Sequence, residues 1–198
     1  MALITAANVR ERIQGLAASD DTEIGLLIAE ADAIAAAWCM WPSPTATVAP
    51  TLSVATYVDY LDGPSEDDAD LLPLRVRPVV SVTSIYDDPD RVYPAGTLVA
   101  SSEYSIVDAR GVLLDYDAVV SWGSAKRGIK VTYTAGFTDG SAPADLKRAL
   151  IDIVGALWQR RHVAGLPSAT DPPRDEVLSA DTRRNLSRYR RLEAAVGG

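Results

Sequence analysis

The chain has 198 residues, 47% of them apolar, and 19 Lys/Arg against 27 Asp/Glu give it a formal net charge of −8. That is enough apolar material for a packed core in one domain of ordinary size, which argues against extended disorder. No run approaches the roughly 20 apolar residues that span a bilayer, and the N-terminus lacks the basic start, apolar run and cleavage site of a secretion signal, so a soluble protein made in a reducing compartment is expected.

The charge is unevenly placed. From Met1 to Ser141 there are 9 Lys/Arg against 20 Asp/Glu, whereas from Ala142 to Gly198 there are 10 against 7. An acidic body repels nucleic acid, while the C-terminal segment suits docking on an acidic surface. A long DNA wrap needs a broad basic surface that this chain does not have.

Val9, Ile13 and Leu16 follow helical spacing over Thr5 to Ala17, with Thr5 as cap, and the segment is short enough to need a partner. A second helix starts at Asp20, with Glu23 in capping-box position. It carries the apolar face Ile24, Leu27, Ile28, Ala31, Ile34, Ala35 and Trp38, and Pro42 and Pro44 end it. Cys39 lies in the apolar stretch Ala37-Trp38-Cys39-Met40-Trp41, and one thiol builds neither a disulfide framework nor a thiol metal site. It reads as an inert core residue.

From Thr51 the period changes to alternation. Runs at Leu52 to Tyr57, Val76 to Tyr86, Tyr104 to Val107, Val112 to Leu114, Val119 to Trp122 and Ile129 to Ala135 are divided by short turn-forming pieces, the pattern of antiparallel hairpins. In the last run Ile129, Val131 and Tyr133 share a buried face and Lys130, Thr132 and Thr134 a wet one. Gly136 reads as a strand terminator or close-packing point.

Helical spacing returns after Pro143 with Leu146, Leu150, Ile153, Val154, Leu157 and Trp158, ending near His162 to Gly165. A proline-rich stretch from Leu166 to Glu176 follows. Ser179 then caps a final helix carrying Leu186, Tyr189 and Leu192. The order of elements predicts an α+β fold, a small helical bundle formed by 1–50 and 137–198 with an inserted antiparallel β-sheet lobe at 51–136.

Chemistry is hard to find. His162, the sole histidine, sits at a helix end, where its imidazole satisfies a last carbonyl or lies exposed. The acidic clusters Glu66-Asp67-Asp68 with Asp70, and Asp87-Asp88-Pro89-Asp90, lack the spacing of a calcium loop and read as solvated loops. No Walker loop, dinucleotide fingerprint, nucleophile elbow or His-Glu zinc motif occurs. Those absences remove most of the common enzyme classes, and a non-enzymatic chain with no catalytic residue, cofactor or metal is the expectation.

The strongest charged feature is Arg183, Arg184, Arg188, Arg190 and Arg191, which together with Tyr189 are the interface candidates. Arg184, Arg188 and Arg191 line one side of the final helix. A solvated face, docking on an acidic protein surface and nucleic-acid contact all remain open, since arginine forks onto carboxylates and phosphates alike.

In this order, several segments resemble the head-to-tail connector (portal adaptor) family of tailed phages, prophages and gene transfer agents. They are the N-terminal helix pair, Leu74-Arg75-Val76-Arg77-Pro78-Val79-Val80-Ser81-Val82, Glu103-Tyr104, Gly111-Val112-Leu113, Trp122, Val131-Thr132-Tyr133-Thr134-Ala135-Gly136-Phe137, Pro143 to Leu150 and Arg160-Arg161-His162. The resemblance implies a structural virion protein of the phage neck, assembled in the host bacterial cytoplasm. It implies a homo-oligomeric, dodecameric ring beneath the portal protein, with a stopper or tail-completion protein below. DNA would pass through its channel without sequence-specific binding, and no membrane would be involved. The portal-docking segment would be the arginine-bearing helix from Ser179 to Ala195. A stopper or tail-completion role is the nearest alternative, with an enzyme or a nucleic-acid binding module further off. The loop Pro42 to Pro50, the acidic loop near Asp67 and the 166–176 stretch map to no family role.

Overall fold

A computed structural model describes residues 2–63, 71–107, 111–114, 122–162 and 177–190. It has α1 (Ala6–Arg12), α2 (Asp21–Trp38), β1 (Ala55–Leu61), β2 (Leu71–Pro73), β3 (Val79–Asp87), β4 (Tyr104–Val107), β5 (Gly111–Leu114), β6 (Ile129–Ala135), α3 (Ala144–His162) and α4 (Ala180–Ser187). The class is α+β. The chain divides into two compact units, one of Met1–Ser53 with Phe137–Gly198 and the other of Val54–Gly136.

In the helical unit, α2 packs on α3, α1 on both, and α4 on α3. The predicted apolar stripes meet: Ile24, Leu27, Ala31 and Ala35 of α2 and Leu146, Leu150, Ile153 and Val154 of α3 are almost wholly buried. Truncating a leucine here, Leu27 or Leu150, to alanine costs about 2–5 kcal/mol in lost transfer energy and residual cavity.

Helix ends carry the local corrections. Thr5 caps α1 as expected and closes a capping box with Asn8, but the helix stops at Arg12, because the chain turns extended at Ile13 and Gly15 takes a positive φ of 89°. Asp20 precedes α2 without capping it through its side chain; its carboxylate accepts from Ala17 N at 2.9 Å and holds a short 3-10 turn over Ala18–Asp20 instead.

The end of α2 is a Schellman turn. Trp41 N donates to Ala36 O and Met40 N to Ala37 O, and Met40 occupies the left-handed position (φ 61°) that glycine usually takes. Asp32, on α2, then accepts from Thr51 Oγ1 and from Leu52 N at 3.1 Å, and burial raises its pKa despite those bonds. This latch fixes where the chain leaves the helical unit.

Among the described residues the β unit holds two three-stranded antiparallel sheets, ordered β1-β6-β3 and β2-β5-β4, where the sequence suggested one sheet of five or six strands. Strand pairing explains the difference: β5 turns back on β4 and pairs on its other side with β2, a strand too short to be recognised from alternation. The first strand begins at Ala55, not Leu52, because Thr51 and Leu52 are taken by Asp32. The expected run at 119–122 falls on residues outside the described set except for Trp122.

Alternation in β6 is as read: Ile129, Val131, Tyr133 and Ala135 are buried and Lys130, Thr132 and Thr134 are not. Gly136 ends the strand at φ 122°, a conformation open to glycine, and donates to Pro78 O at 2.9 Å. Beneath the sheet Asp59 is buried and accepts from Tyr133 Oη at 2.8 Å, Arg75 N at 3.0 Å and Arg75 Nε at 2.9 Å. Tyr133 Oη in turn accepts from Val76 N at 3.1 Å. Burial, then the neighbouring Asp59 charge, pushes the Tyr133 pKa up, so the phenol stays a donor to Asp59.

Candidate functional site

The arginine segment is built on α4. Ser179 Oγ accepts from Thr182 N at 3.1 Å, the N-cap expected from sequence. Thr182 and Leu186 are the buried positions of the helix, which ends at Ser187 with Arg188 as its αR cap residue. The expected continuation past Arg190, with Arg191 and Leu192, lies outside the described residues.

The structure separates the predicted site residues into three environments. Arg184 and Arg188 are four residues apart and their side chains are 80% and 79% exposed. Each has a loose acidic neighbour, Asp181 at 3.6 Å and Asp145 at 3.5 Å, and such surface pairs are worth little. Both guanidinium groups are therefore available to an outside carboxylate at small cost.

Arg190 is turned onto the end of α2, its guanidinium 5.5 Å from the Trp38 ring centroid and Nη2 3.7 Å from Met40 Sδ. A cation there complements the negative C-terminal pole of α2. Arg183 is half-buried.

Tyr189 faces inward. Its hydroxyl donates to Asp145 Oδ1 at 2.5 Å, and its ring meets Phe137 edge-on at 5.7 Å. Phe137 stacks at 6.1 Å on Trp41, whose Nε1 donates to Tyr189 O at 3.1 Å. Burial, then the bond to Asp145, pushes the Tyr189 pKa up. The residue is thus a strap that fastens the end of α4 to the helical unit.

Sequence reasoning missed this strap. Trp41, the neighbouring Phe137 and Asp145, and Tyr189 come from three distant parts of the chain, and Asp145 reads locally as an acid in the first turn of α3, where it also accepts from Leu146 N. Only the concentration of aromatics near helix ends gave a signal.

Cys39 lies under the strap, fully buried, with its thiol 3.6 Å from Leu186 O. Burial pushes its pKa up to about 12, which the nearby Arg190 charge offsets in part. His162 Nδ1 lies 3.0 Å from Trp158 O, the carbonyl one turn back, and its ring stacks on Trp158 at 3.9 Å. Its Nε2 faces Glu23 at 3.6 Å, beside the Arg161 to Glu30 pair at 3.1 Å.

In the Asp87 to Asp90 loop the carboxylates hold backbone. Asp88 accepts from the amides of Asp90, Val92 and Tyr93 at 3.1, 2.8 and 2.7 Å, and its pKa is lowered, first by the Tyr93 amide. Asp87 accepts from Gly123 N at 2.6 Å. The Glu66 to Asp70 cluster lies outside the described residues. Among the described residues no group of three or more His, Cys, Asp or Glu is arranged to hold a metal ion, and no helix is long and apolar enough to cross a membrane.

No protein-family model and no curated protein matches the chain. Solved structures do match over nearly all of it. A chain of "Neck of empty GTA particle computed with C6 symmetry" aligns with TM-score 0.60 and 18% identity, covering 99% of this chain and 93% of that one. A chain of "Virion of native gene transfer agent (GTA) particle" gives 0.57 and 19% over the same shares. A chain of "Neck of native GTA particle computed with C12 symmetry" gives 0.50 and 20%, over 97% and 90%. At these identities the likeness is one of fold.

Proposed function

We propose that this protein is a structural component of the neck of a tailed phage or gene-transfer-agent particle, an adaptor that forms a ring beneath the portal and extends the DNA channel toward the tail. The observation that carries the reading is the end-to-end match of the fold to chains of gene-transfer-agent necks, covering 99% of this chain in one of them. The C12 and C6 symmetries named for those particles support a ring of copies. The helical unit of 1–50 and 137–198 carries the docking helix, and the inserted lobe of 51–136 contributes to the ring. The role is architectural and needs no catalytic residue or cofactor.

On this reading the portal meets the exposed face of α4. Arg184 and Arg188 supply the charge, Tyr189 holds the end of the helix in place, and Arg183 and Arg190 flank them, with Arg191 next in sequence. Because Ala180–Ser187 is already helical and packed on α3, docking pays little ordering entropy for those residues. Stopper or tail-completion protein is the partner on the opposite side, and DNA passes without sequence-specific contact.

The test is co-sedimentation of the purified chain with the portal ring of the same particle. Saturable binding near one copy per portal subunit is expected. The double variant Arg184→Glu with Arg188→Glu should weaken it by about tenfold or more while leaving the fold unchanged, since charge at a docking face acts on association before stability. Absence of binding to intact portal overturns the adaptor role in favour of a lower neck component, and unchanged binding by the double variant removes α4 from the interface.

A further inference from the structure

The solvent face of the β1-β6-β3 sheet has a composition unlike the rest of this acidic chain. The pairing register places three rows on that face: Tyr60, Lys130 and Tyr86; Val58, Thr132 and Ser84; and Thr56, Thr134 and Ser81. Between Val54 and Gly136 the sequence holds 13 Asp/Glu against 7 Lys/Arg, yet none of these nine positions is acidic. The alternation of the strands explains how: Asp59 and Asp87 belong to the opposite face, where Asp59 is buried.

At one end of the face the side chains are ordered in advance. Lys130 Nζ lies 5.7 Å from the Tyr86 ring centroid and 5.5 Å from that of Tyr93, Arg127 lies 5.4 Å from Tyr60, and Tyr60 and Tyr93 are 5.7 Å apart. Tyr93 Oη donates to Arg127 O at 2.6 Å. Among the described residues, carboxylates at the rim are engaged by backbone: Asp62 accepts from Arg127 N at 2.7 Å, and Asp88 from three amides.

Arg91, Tyr93 and Arg127 all have φ between 55° and 60°, a left-handed conformation unfavourable for such side chains. Strained backbone of this kind persists where surrounding structure holds it and gathers at binding surfaces. Apolar groups lie open beside the cations: Val58 is 42%, Tyr60 39% and Val92 75% exposed. Exposed tyrosine and arginine, with no carboxylate at the nine paired positions of the face, is the composition of a protein-contact core, and rigid rings lose little entropy on binding.

We propose that this face, centred on Tyr60, Arg127 and Lys130, receives the acidic β unit of a second copy of the same chain. Charge complementarity selects that occupant, because the unit that displays the cationic face is itself strongly acidic over the rest of its sequence. A contact between two different patches of identical chains is head-to-tail, the kind that closes into a ring when its rotation fits. The inference deepens the ring reading above by naming the surface through which copies meet, and it stands or falls by a separate measurement.

A photo-crosslinking residue placed at Val58 reports the contact directly, with the same residue at the exposed Val48 of the helical unit as control. On irradiation of the concentrated full-length chain, covalent dimers are expected from position 58 above the level from position 48. The crosslinked peptides should map to Val54–Gly136 of the second copy. Lys130→Glu and, separately, Arg127→Glu should each lower dimer yield by about fivefold or more, the scale of a surface charge contact plus the new repulsion, with circular dichroism unchanged.

Dimer yield no higher than at position 48, or yield that both charge reversals leave intact, overturns the proposal. So does a short DNA duplex that abolishes the crosslinks and binds with the same sensitivity to both variants, which would give the face to nucleic acid. Portal co-sedimentation of the Lys130→Glu chain keeps the two ideas apart: saturable binding beside lost crosslinks leaves the adaptor role standing, and retained crosslinks without portal binding leave the self-contact standing.

Discussion

Replacing Tyr189 by phenylalanine tests whether the end of α4 is a strap that opens by itself. The ring contacts with Phe137 survive the change, and only the hydroxyl that donates to Asp145 Oδ1 at 2.5 Å is lost. A hydrogen bond to a charged group is worth about 1.5–3 kcal/mol net. The Asp145 side chain is 29% exposed, and water competes for it, so the low end, about 1.5 kcal/mol, applies. That is roughly a tenfold rise in the equilibrium constant for opening.

Cys39 supplies the assay. Its thiol is fully buried beside Leu186 O, and with the pKa pushed up to about 12 the thiolate fraction at pH 8 falls about three orders of magnitude below that of an ordinary thiol. A thiol-disulfide reagent such as DTNB therefore reacts only after the strap lifts, and its rate reads the opening constant when reclosing is fast. The variant should label about tenfold faster than the parent, both of them far faster than global unfolding allows, while the urea midpoint falls only by the same loss of about 1.5 kcal/mol. A rate unchanged within experimental error, or labelling in both proteins at the global unfolding rate, refutes the existence of a separately opening strap.

Two further perturbations probe the β unit. Tyr133→Phe strands the Val76 amide and removes one of the donors to buried Asp59, and is expected to cost about 2–4 kcal/mol. Urea unfolding followed by Trp122, the unit's own tryptophan, should show the loss, and a change under about 1 kcal/mol would mean that water replaces the hydroxyl. Asp88→Asn concerns acid stability: the native pKa lies below the unfolded value of 3.8, so the carboxylate contributes stability above the unfolded pKa and loses it as pH falls through the lower native one. The variant should be less stable at pH 7 and fall less steeply than the parent on acidification, and parallel acid limbs in urea midpoints would contradict the assignment.

Much of this architecture was legible because local rules and packing agree. Thr5 and Ser179 cap where their side chains predict, the α2 and α3 stripes meet, and β6 alternates with its buried face as read. The failures have long-range causes. Strand β2 has three residues and exists through pairing with β5, and β1 starts late because Asp32, about twenty positions away, claims Thr51 and Leu52. At the candidate site, helical spacing placed Arg184 and Arg188 on one side of the helix and Arg190 off it, but it gave no sign of Trp38 and Met40, which draw Arg190 to the end of α2. Tyr189 was singled out for its type, aromatic and near a terminus, and its inward role depends on Asp145 and Phe137, which no local pattern connects to it.

The two cationic surfaces differ in how they are held, and the difference follows from what each is proposed to meet. Arg184 and Arg188 are long, exposed and, among the described residues, paired loosely at 3.5–3.6 Å with Asp181 and Asp145, so they can adapt to a partner whose geometry is set elsewhere. Lys130 and Arg127 are held over tyrosine rings on a hydrogen-bonded sheet, which suits a contact between identical copies, where one fixed rotation must recur for a ring to close. A net charge of −8 sets copies of the chain against one another at long range, and screening confines that repulsion to about 8 Å at physiological ionic strength. Under the proposal, attraction between copies draws on a place where cations are gathered on a sheet face whose paired positions carry no carboxylate. Strand alternation makes such a place on the β1-β6-β3 face by turning Asp59 and Asp87 to its other side, so the same two-residue period that builds the core of the β unit also prepares its outer surface for a second chain.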